Sequence, residues 1–201
     1  MTYKDIPGWF DFEDVYREAV ARGQDGDHFV ELGVYFGRST CFMGEQIRDS
    51  GKLIVFDAID FFMDRWIEPP EHRALIKQHG SQLNVCMHFL READVEPFIN
   101  IVPLESAAAA NLYGNKSLDF IWNDAGHHYA DVRRNILSWY PKLKPTGTFG
   151  GHDFAGDEMS HEVERAVREC FKLPPEVTPL HLPHSWLLRP QEEPWRSLLA
   201  S

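Results

Sequence analysis

Cysteine is scarce in this 201-residue chain: Cys41, Cys86 and Cys170 are the only three, and no two form a CxxC pair. That excludes a disulfide framework and a zinc ribbon, and leaves the thiols as small core residues. Long apolar runs are missing as well. The longest are a few residues, against the roughly 20 that a membrane-spanning helix needs, and no charged lead followed by an apolar stretch opens the sequence. A soluble, cytoplasmic protein is expected. Positive charge is in short supply, with 20 Lys and Arg against 31 Asp and Glu and a net charge of −11. Such a chain repels a phosphate backbone or an anionic lipid surface, and no local basic patch offsets this, so neither nucleic acid nor membrane is an expected partner. Internal repeats and low-complexity tracts are also lacking.

What is present is a regular alternation of helical and strand patterns, on a chain 43% hydrophobic and of a length suited to one core. The reading is one domain over 1–201. An N-terminal helical segment fills 1–27, with Phe12, Val15, Tyr16, Ala19 and Val20 on one face of a helix over 11–22 and Asp11 as its N-cap. Strands are expected at 28–32, 52–57, 98–104, 117–124 and 147–153, then at "VTPLHL" and "SWLLR". Helices are expected between them, notably "STCFMGEQIRDSG" closed by Gly51, "SQLNVCMHFLREA", 130–140 and 158–171. Strand and helix taking turns imply an α/β fold with a doubly wound, mostly parallel, seven-stranded sheet. The less regular stretch 61–95 reads as a lid, in which Phe61, Phe62, Met63 and Trp66 wall an apolar pocket or belong to the core. The tail "RPQEEPWRSLLAS" reads as a surface or subunit-contact segment, so a homo-oligomer is allowed.

In a doubly wound sheet, ligands bind outside the carboxyl ends of the strands. Four such ends carry chemistry. After the first strand, "VELGVYFGRST" sets Glu31, Gly33 and Gly37 in an ExGxxxG loop before a helix. Glycines allow a sharp turn and close approach to a ligand, and a helix start favours an anion; the same glycines also suit a plain turn. After the second strand, Asp57 can accept hydrogen bonds from both hydroxyls of a ribose, with Asp60 close enough to compete. At the ends of the fourth and fifth strands stand Asp124, His152 and Asp153. If these strands are parallel neighbours, the three groups meet, and a divalent cation relieves their repulsion: Mg²⁺ or Mn²⁺ for an oxygen-rich set, Fe²⁺ or Zn²⁺ if further histidines join. A helix cap is the simpler reading of "HD".

Taken together, "VELGVYFGRST", "IVFD", "LDFIWNDAGHHY" and "WYPKLKPTGTFGGHDF", spanning about 28–154, resemble the class I S-adenosylmethionine-dependent methyltransferases. The resemblance is strongest to the cation-dependent small-molecule O-methyltransferase branch and its bacterial relatives that act on sugars and secondary metabolites. It implies the Rossmann-like methyltransferase fold, S-adenosylmethionine as cofactor and a small-molecule acceptor. It further implies Glu31 and Gly33 beside the methionine part of the cofactor, with Gly37 in the same loop. Tyr35 and Ser39 would reach the methionine carboxylate, Asp57 the ribose and Ser106 the adenine edge. Asp124, His152 and Asp153 fall on the metal positions, where histidine replaces the usual oxygen ligand. His127 falls where relatives carry a lysine or histidine base, with His128 as the alternative, and an imidazole is suited to removing a hydroxyl proton near neutrality. The activity so implied is cation-assisted O-methylation. A metal-dependent hydroxylase or hydrolase on the same fold, a nicotinamide-dependent oxidoreductase and a non-catalytic binding protein are the alternatives.

Overall fold

The computed structural model describes residues 1–64, 69–154, 158–173, 180–182 and 184–190. Its helices are α1 (Glu13–Arg22), α2 (Arg38–Ser50), α3 (Pro70–His79), α4 (Gln82–Glu92), the short α5 (Ser106–Ala109), α6 (Tyr129–Trp139) and α7 (Glu158–Cys170). Its strands are β1 (His28–Leu32), β2 (Val55–Ile59), β3 (Asn100–Val102), β4 (Leu118–Asn123), β5 (Leu143–Gly151), β6 (Leu180–Leu182) and β7 (Ser185–Leu188). The chain divides into two compact units that interleave in sequence, one of Met1–Asp27 with Val34–Glu105, the other of His28–Gly33 with Ser106–Ser201.

In the first unit, β2 and β3 pair in parallel with Asp57 opposite Asn100. Helix α2 runs between two left-handed glycines, Gly37 at its start and Gly51 at its end, and buries Cys41, Phe42, Met43 and Ile47. Gly44 on that helix admits Ile99 and Val95, whose side chains stand 2.8 and 3.0 Å from where a Cβ would be. Helix α1 buries Val15, Tyr16 and Val20, but Phe12, not Asp11, is its N-cap. Phe12 is drawn into the core, where its ring meets Phe10 and Tyr16, and this delays the helix start past the expected acid. Strand β2 also starts later than its composition suggests. Lys52 and Leu53 are used instead to fasten the preceding turn: Lys52 Nζ donates to the carbonyls of Val20, Ala21 and Gly23 at 2.6, 2.9 and 2.7 Å, and the Leu53 N–H donates to Asp25 at 2.8 Å. The strand therefore runs on to Ile59, and Asp57 lies in its middle. β3 is shorter than expected because Glu96–Phe98 form a 3₁₀ turn around Pro97.

The second unit orders its strands β1, β4, β5, β7, β6. β1–β4 and β4–β5 are parallel, while β7 runs antiparallel to both β5 and β6. β1 and β4 are buried along almost their whole length, as strands covered on both faces are. Asp119 accepts the His28 N–H at 2.9 Å and Lys144 Nζ at 2.7 Å, tying the starts of β1, β4 and β5. β5 begins earlier than expected, at Leu143, and takes Pro145, Thr146 and Gly147 into the strand through an irregularity opposite Leu118 and Phe120. Helix α6 packs Val132, Ile136 and Trp139 inward, and its first N–H, from Tyr129, is accepted by Glu162 of α7 at 2.7 Å. Mostly parallel strands alternating with helices are the α/β class expected of the chain.

Of the other expectations, Trp66, residues 177–179 of the sixth strand and the tail 191–201 lie outside the described residues. No described helix is long and apolar enough to cross a membrane. Replacing Lys52 with Met is expected to lower the unfolding free energy by about 1–2 kcal/mol, because three carbonyls at the C-terminal end of α1 lose a charged donor. A shift of the urea midpoint reads this out, and an unchanged midpoint contradicts the fastening role.

Candidate active site

Parallel pairing of β4 with β5 places Asn123 opposite Gly151, so the next residues on each strand, Asp124 and His152, leave the sheet side by side. The backbone continues this register past the strand ends: the His152 N–H donates to the Asn123 carbonyl at 3.2 Å and the Asp124 N–H to that of Leu32 at 2.7 Å. His152 Nδ1 is 3.8 Å from Asp124 Oδ1 and 3.3 Å from Asp153 Oδ1. Asp153 has a left-handed backbone, φ 58°, a conformation that aspartate tolerates better than most residues and that recurs at functional sites. One donor atom from each of Asp124, His152 and Asp153 lies within 4.8 Å of the others. Bond lengths of about 2.1 Å put neighbouring ligands of a divalent ion roughly 3 Å apart and opposite ones roughly 4.2 Å apart. Two carboxylates and an imidazole at these separations suit such an ion after a small closure.

His127 and His128 part company. His127 Nε2 lies 3.0 Å from Asp153 Oδ2, so the Asp153 carboxylate stands between two imidazoles. His128 is the N-cap residue of α6, 77% exposed in its side chain, with Nδ1 3.4 Å from Glu162. The loop carrying His127 is held from beneath. Buried Asn135 on α6 donates through Nδ2 to Asn123 Oδ1 at 3.0 Å and to the Ala125 carbonyl at 3.1 Å. Asn123 and Asn135 escaped sequence reasoning; the available signal was an amide at the end of an otherwise apolar strand, which a buried partner must satisfy.

Of the residues expected around the cofactor, Glu31, Gly33 and Ser106 belong to the second unit. Glu31 is fully buried on β1, and the Ser106 carbonyl accepts Trp139 Nε1 at 2.9 Å. Gly33 has φ 91°, and a Cβ on it would lie 2.2 Å from the Asp124 carbonyl oxygen. Tyr35, Gly37, Ser39 and Asp57 belong to the first unit. Gly37, with φ 87°, faces Cys86 and Leu90 of α4, which stand 3.0 and 3.4 Å from its missing Cβ. Both glycines are thus required by protein neighbours, not only by a ligand's approach. Ser39 is buried in the first turn of α2. Asp57 is nearly buried in mid-strand and accepts Asn100 Nδ2 at 2.9 Å. The carboxylate that follows β2 is Asp60: its Oδ2 accepts the N–H groups of Val34 and Tyr35 at 2.8 and 3.0 Å, and its Oδ1 that of Phe62 at 2.6 Å. The expected strand end at Asp57 is corrected to Ile59, because Lys52 and Leu53 do not enter the ladder.

Residues 30–154, more than half of the chain, match a family described as a methyltransferase domain. No curated protein matches the sequence. Among solved structures, the O-methyltransferase NovP is 16% identical, with 88% of this chain and 78% of that one covered at a TM-score of 0.63. A Corynebacterium glutamicum protein is 12% identical over 95% of this chain and 86% of its own, with a TM-score of 0.60. CalS11, described as a TDP-rhamnose 3'-O-methyltransferase of calicheamicin biosynthesis, is 16% identical over 90% of this chain and 78% of its own, at 0.56. At these identities the likeness is one of fold.

Gly33→Ala is expected to destabilise the protein by roughly 2–5 kcal/mol, from the positive φ and the overlap with the Asp124 carbonyl. Thermal or urea unfolding measures it, and a loss under about 1 kcal/mol would show that the β1 and β4 ends can separate without strain.

Proposed function

The chain belongs to the methyltransferase-domain family matched over residues 30–154, and from that premise we propose that it methylates a hydroxyl oxygen of a small molecule with the help of a divalent cation. Membership makes it an S-adenosylmethionine-dependent methyltransferase, as its motifs imply. The observation that carries the finer reading is the meeting of Asp124, His152 and Asp153, with His127 against Asp153.

In the proposed reaction the acceptor oxygen bonds to the methyl carbon as the carbon–sulfur bond breaks, and the electron pair stays on sulfur. The hydroxyl proton passes to His127 Nδ1, while Nε2–H donates to Asp153, which keeps the ring oriented and stabilises the imidazolium that forms. Asp124, Asp153 and His152 would hold the cation, which supplies charge stabilisation at the acceptor oxygen. An imidazole among the ligands favours Mn²⁺ over Mg²⁺, since nitrogen suits the later ion better. Asp60 joins Asp57 as a candidate for the cofactor ribose: it follows the strand, and a carboxylate taking three N–H groups keeps about one lone-pair site for a ribose hydroxyl. The methyl donor is already activated, so the protein's part is positioning and charge stabilisation.

The acceptor class is a sugar or secondary metabolite, in keeping with the motif resemblance and with what CalS11 is described as methylating. The net charge of −11 supports a small-molecule partner over nucleic acid, and a cytoplasmic setting is part of the same reading. Family membership removes the motive for the nicotinamide and hydroxylase alternatives.

S-adenosylhomocysteine at a hundred times its Kd is expected to stabilise the protein by about 2.7 kcal/mol, a melting shift of roughly 5–10 °C for a chain of this size. Mn²⁺ should add a further shift that EDTA reverses. Asp124→Ala should keep the first shift and lose the second, while methyl transfer falls at least about 100-fold, as loss of a group stabilising transition-state charge does. A cofactor shift with no metal effect in the wild type removes the cation from the mechanism; no cofactor shift removes the reading itself.

A further inference from the structure

Tyr35 and His72 form a contact that the chemistry above leaves unused. The Tyr35 hydroxyl lies 2.7 Å from His72 Nδ1, and His72, on the inner side of α3, is only 8% exposed. A phenol oxygen both donates and accepts, so the contact holds in either imidazole tautomer. Aromatic rings enclose the pair. Phe36 stacks on Tyr35 with centroids 4.4 Å apart and stands 5.3 Å from His72, and Trp9 lies 5.9 Å from both Tyr35 and His72. Burial first, and the nearby Glu71 charge second, push the Tyr35 hydroxyl up to about 12, so it stays a neutral phenol at physiological pH.

The main chain at Tyr35 is held just as firmly. Its φ is 55°, a left-handed value that a bulky aromatic residue rarely adopts, and its N–H is bound by Asp60 beside that of Val34. Asp60 thus fixes the backbone of this turn, and His72 fixes the far end of the side chain. A consequence follows for ligand binding. With its hydroxyl engaged by α3, Tyr35 keeps its O–H for a cofactor carboxylate only in the tautomer whose Nδ1–H is the donor, and residues 34–37 also offer their shape and the backbone groups at the start of α2.

We propose that His72 is a positioning residue for the cofactor loop, latching Tyr35 so that residues 34–37 keep the conformation that binds the methyl donor. This rests on the methyltransferase reading, and it links that loop to α3, within the 61–95 segment read as the acceptor lid. Seating an acceptor against α3 then bears directly on cofactor affinity, and the reverse.

The test is S-adenosylhomocysteine binding by calorimetry to the full chain as wild type, His72→Phe, Tyr35→Phe, the double variant and His72→Gln, with steady-state methyl transfer alongside. His72→Phe and Tyr35→Phe should each weaken binding about tenfold, the double variant no more than either, because the two side chains act as one contact. His72→Gln, whose amide can meet the phenol, should recover most of the affinity. The loss should appear in KM for the methyl donor more than in kcat, which a helix merely packed on the core does not produce. Affinity of a cooperatively folding His72→Phe within about twofold of wild type, or losses that multiply in the double variant, overturns the latch and leaves the methyltransferase reading intact. Should His72→Phe fail to fold, Tyr35→Phe decides alone: wild-type affinity in that variant overturns the latch. A wild type that does not bind S-adenosylhomocysteine overturns both.

Discussion

Register between β4 and β5 is the constraint on which the cluster of Asp124, His152 and Asp153 depends. With Asn123 opposite Gly151, Asp124 and His152 emerge as neighbours; a slip of one residue would send one of them to the other face of the sheet. The register is locked by close packing around glycine. A Cβ on Gly150 would meet Leu187 and Trp122 at 2.6 and 2.7 Å, and one on Gly151 the Asn123 carbonyl oxygen at 2.5 Å and Trp186 Nε1 at 2.7 Å. The paired glycines of β5 let two tryptophans close in on the strand from its two neighbours, and any slip would drive a larger residue into that space. The meeting of Asp124, His152 and Asp153 at the strand ends is therefore secured by close packing further back.

Much of this could be read from residue order. Strands were read at 28–32 and 117–124 and are there in the fold, and Asp124, His152 and Asp153 follow the fourth and fifth strands, where a strand-end rule puts ligands. The sequence was less informative where a polar side chain had a structural duty that its position did not advertise. Lys52 looked like the first residue of a strand, yet its ammonium group serves three carbonyls at the end of α1, and β2 moved along the chain as a result. Asp11 looked like a helix cap and lost the place to Phe12, since burying an aromatic ring outweighs one capping bond. Contacts between residues far apart in sequence, such as Asn135 with Asn123 or His72 with Tyr35, leave no periodic trace at all.

The glycine-containing loop teaches a related lesson. Read alone, Gly33 and Gly37 suggest room made for a ligand. In the fold, each has its missing side chain replaced by protein: the Asp124 carbonyl at Gly33, and Cys86 with Leu90 at Gly37. The motif is a statement about how the backbone is packed as much as about what it binds, and Asp60 supports the same turn by collecting its free N–H groups. Shape at this turn is thus set before any ligand arrives, the condition under which least binding energy is lost to ordering.

The near-contact of Gly33 with the Asp124 carbonyl also bears on how such a protein can diversify. The clashing atoms at 124 and 125 belong to the backbone, which any residue carries, so the contact confines mutational drift at position 33 and leaves the side chain at 124 to its own chemistry. Descendants of this chain can change the carboxylate that follows β4 without touching the backbone path, but they inherit glycine after β1 for as long as that path is kept.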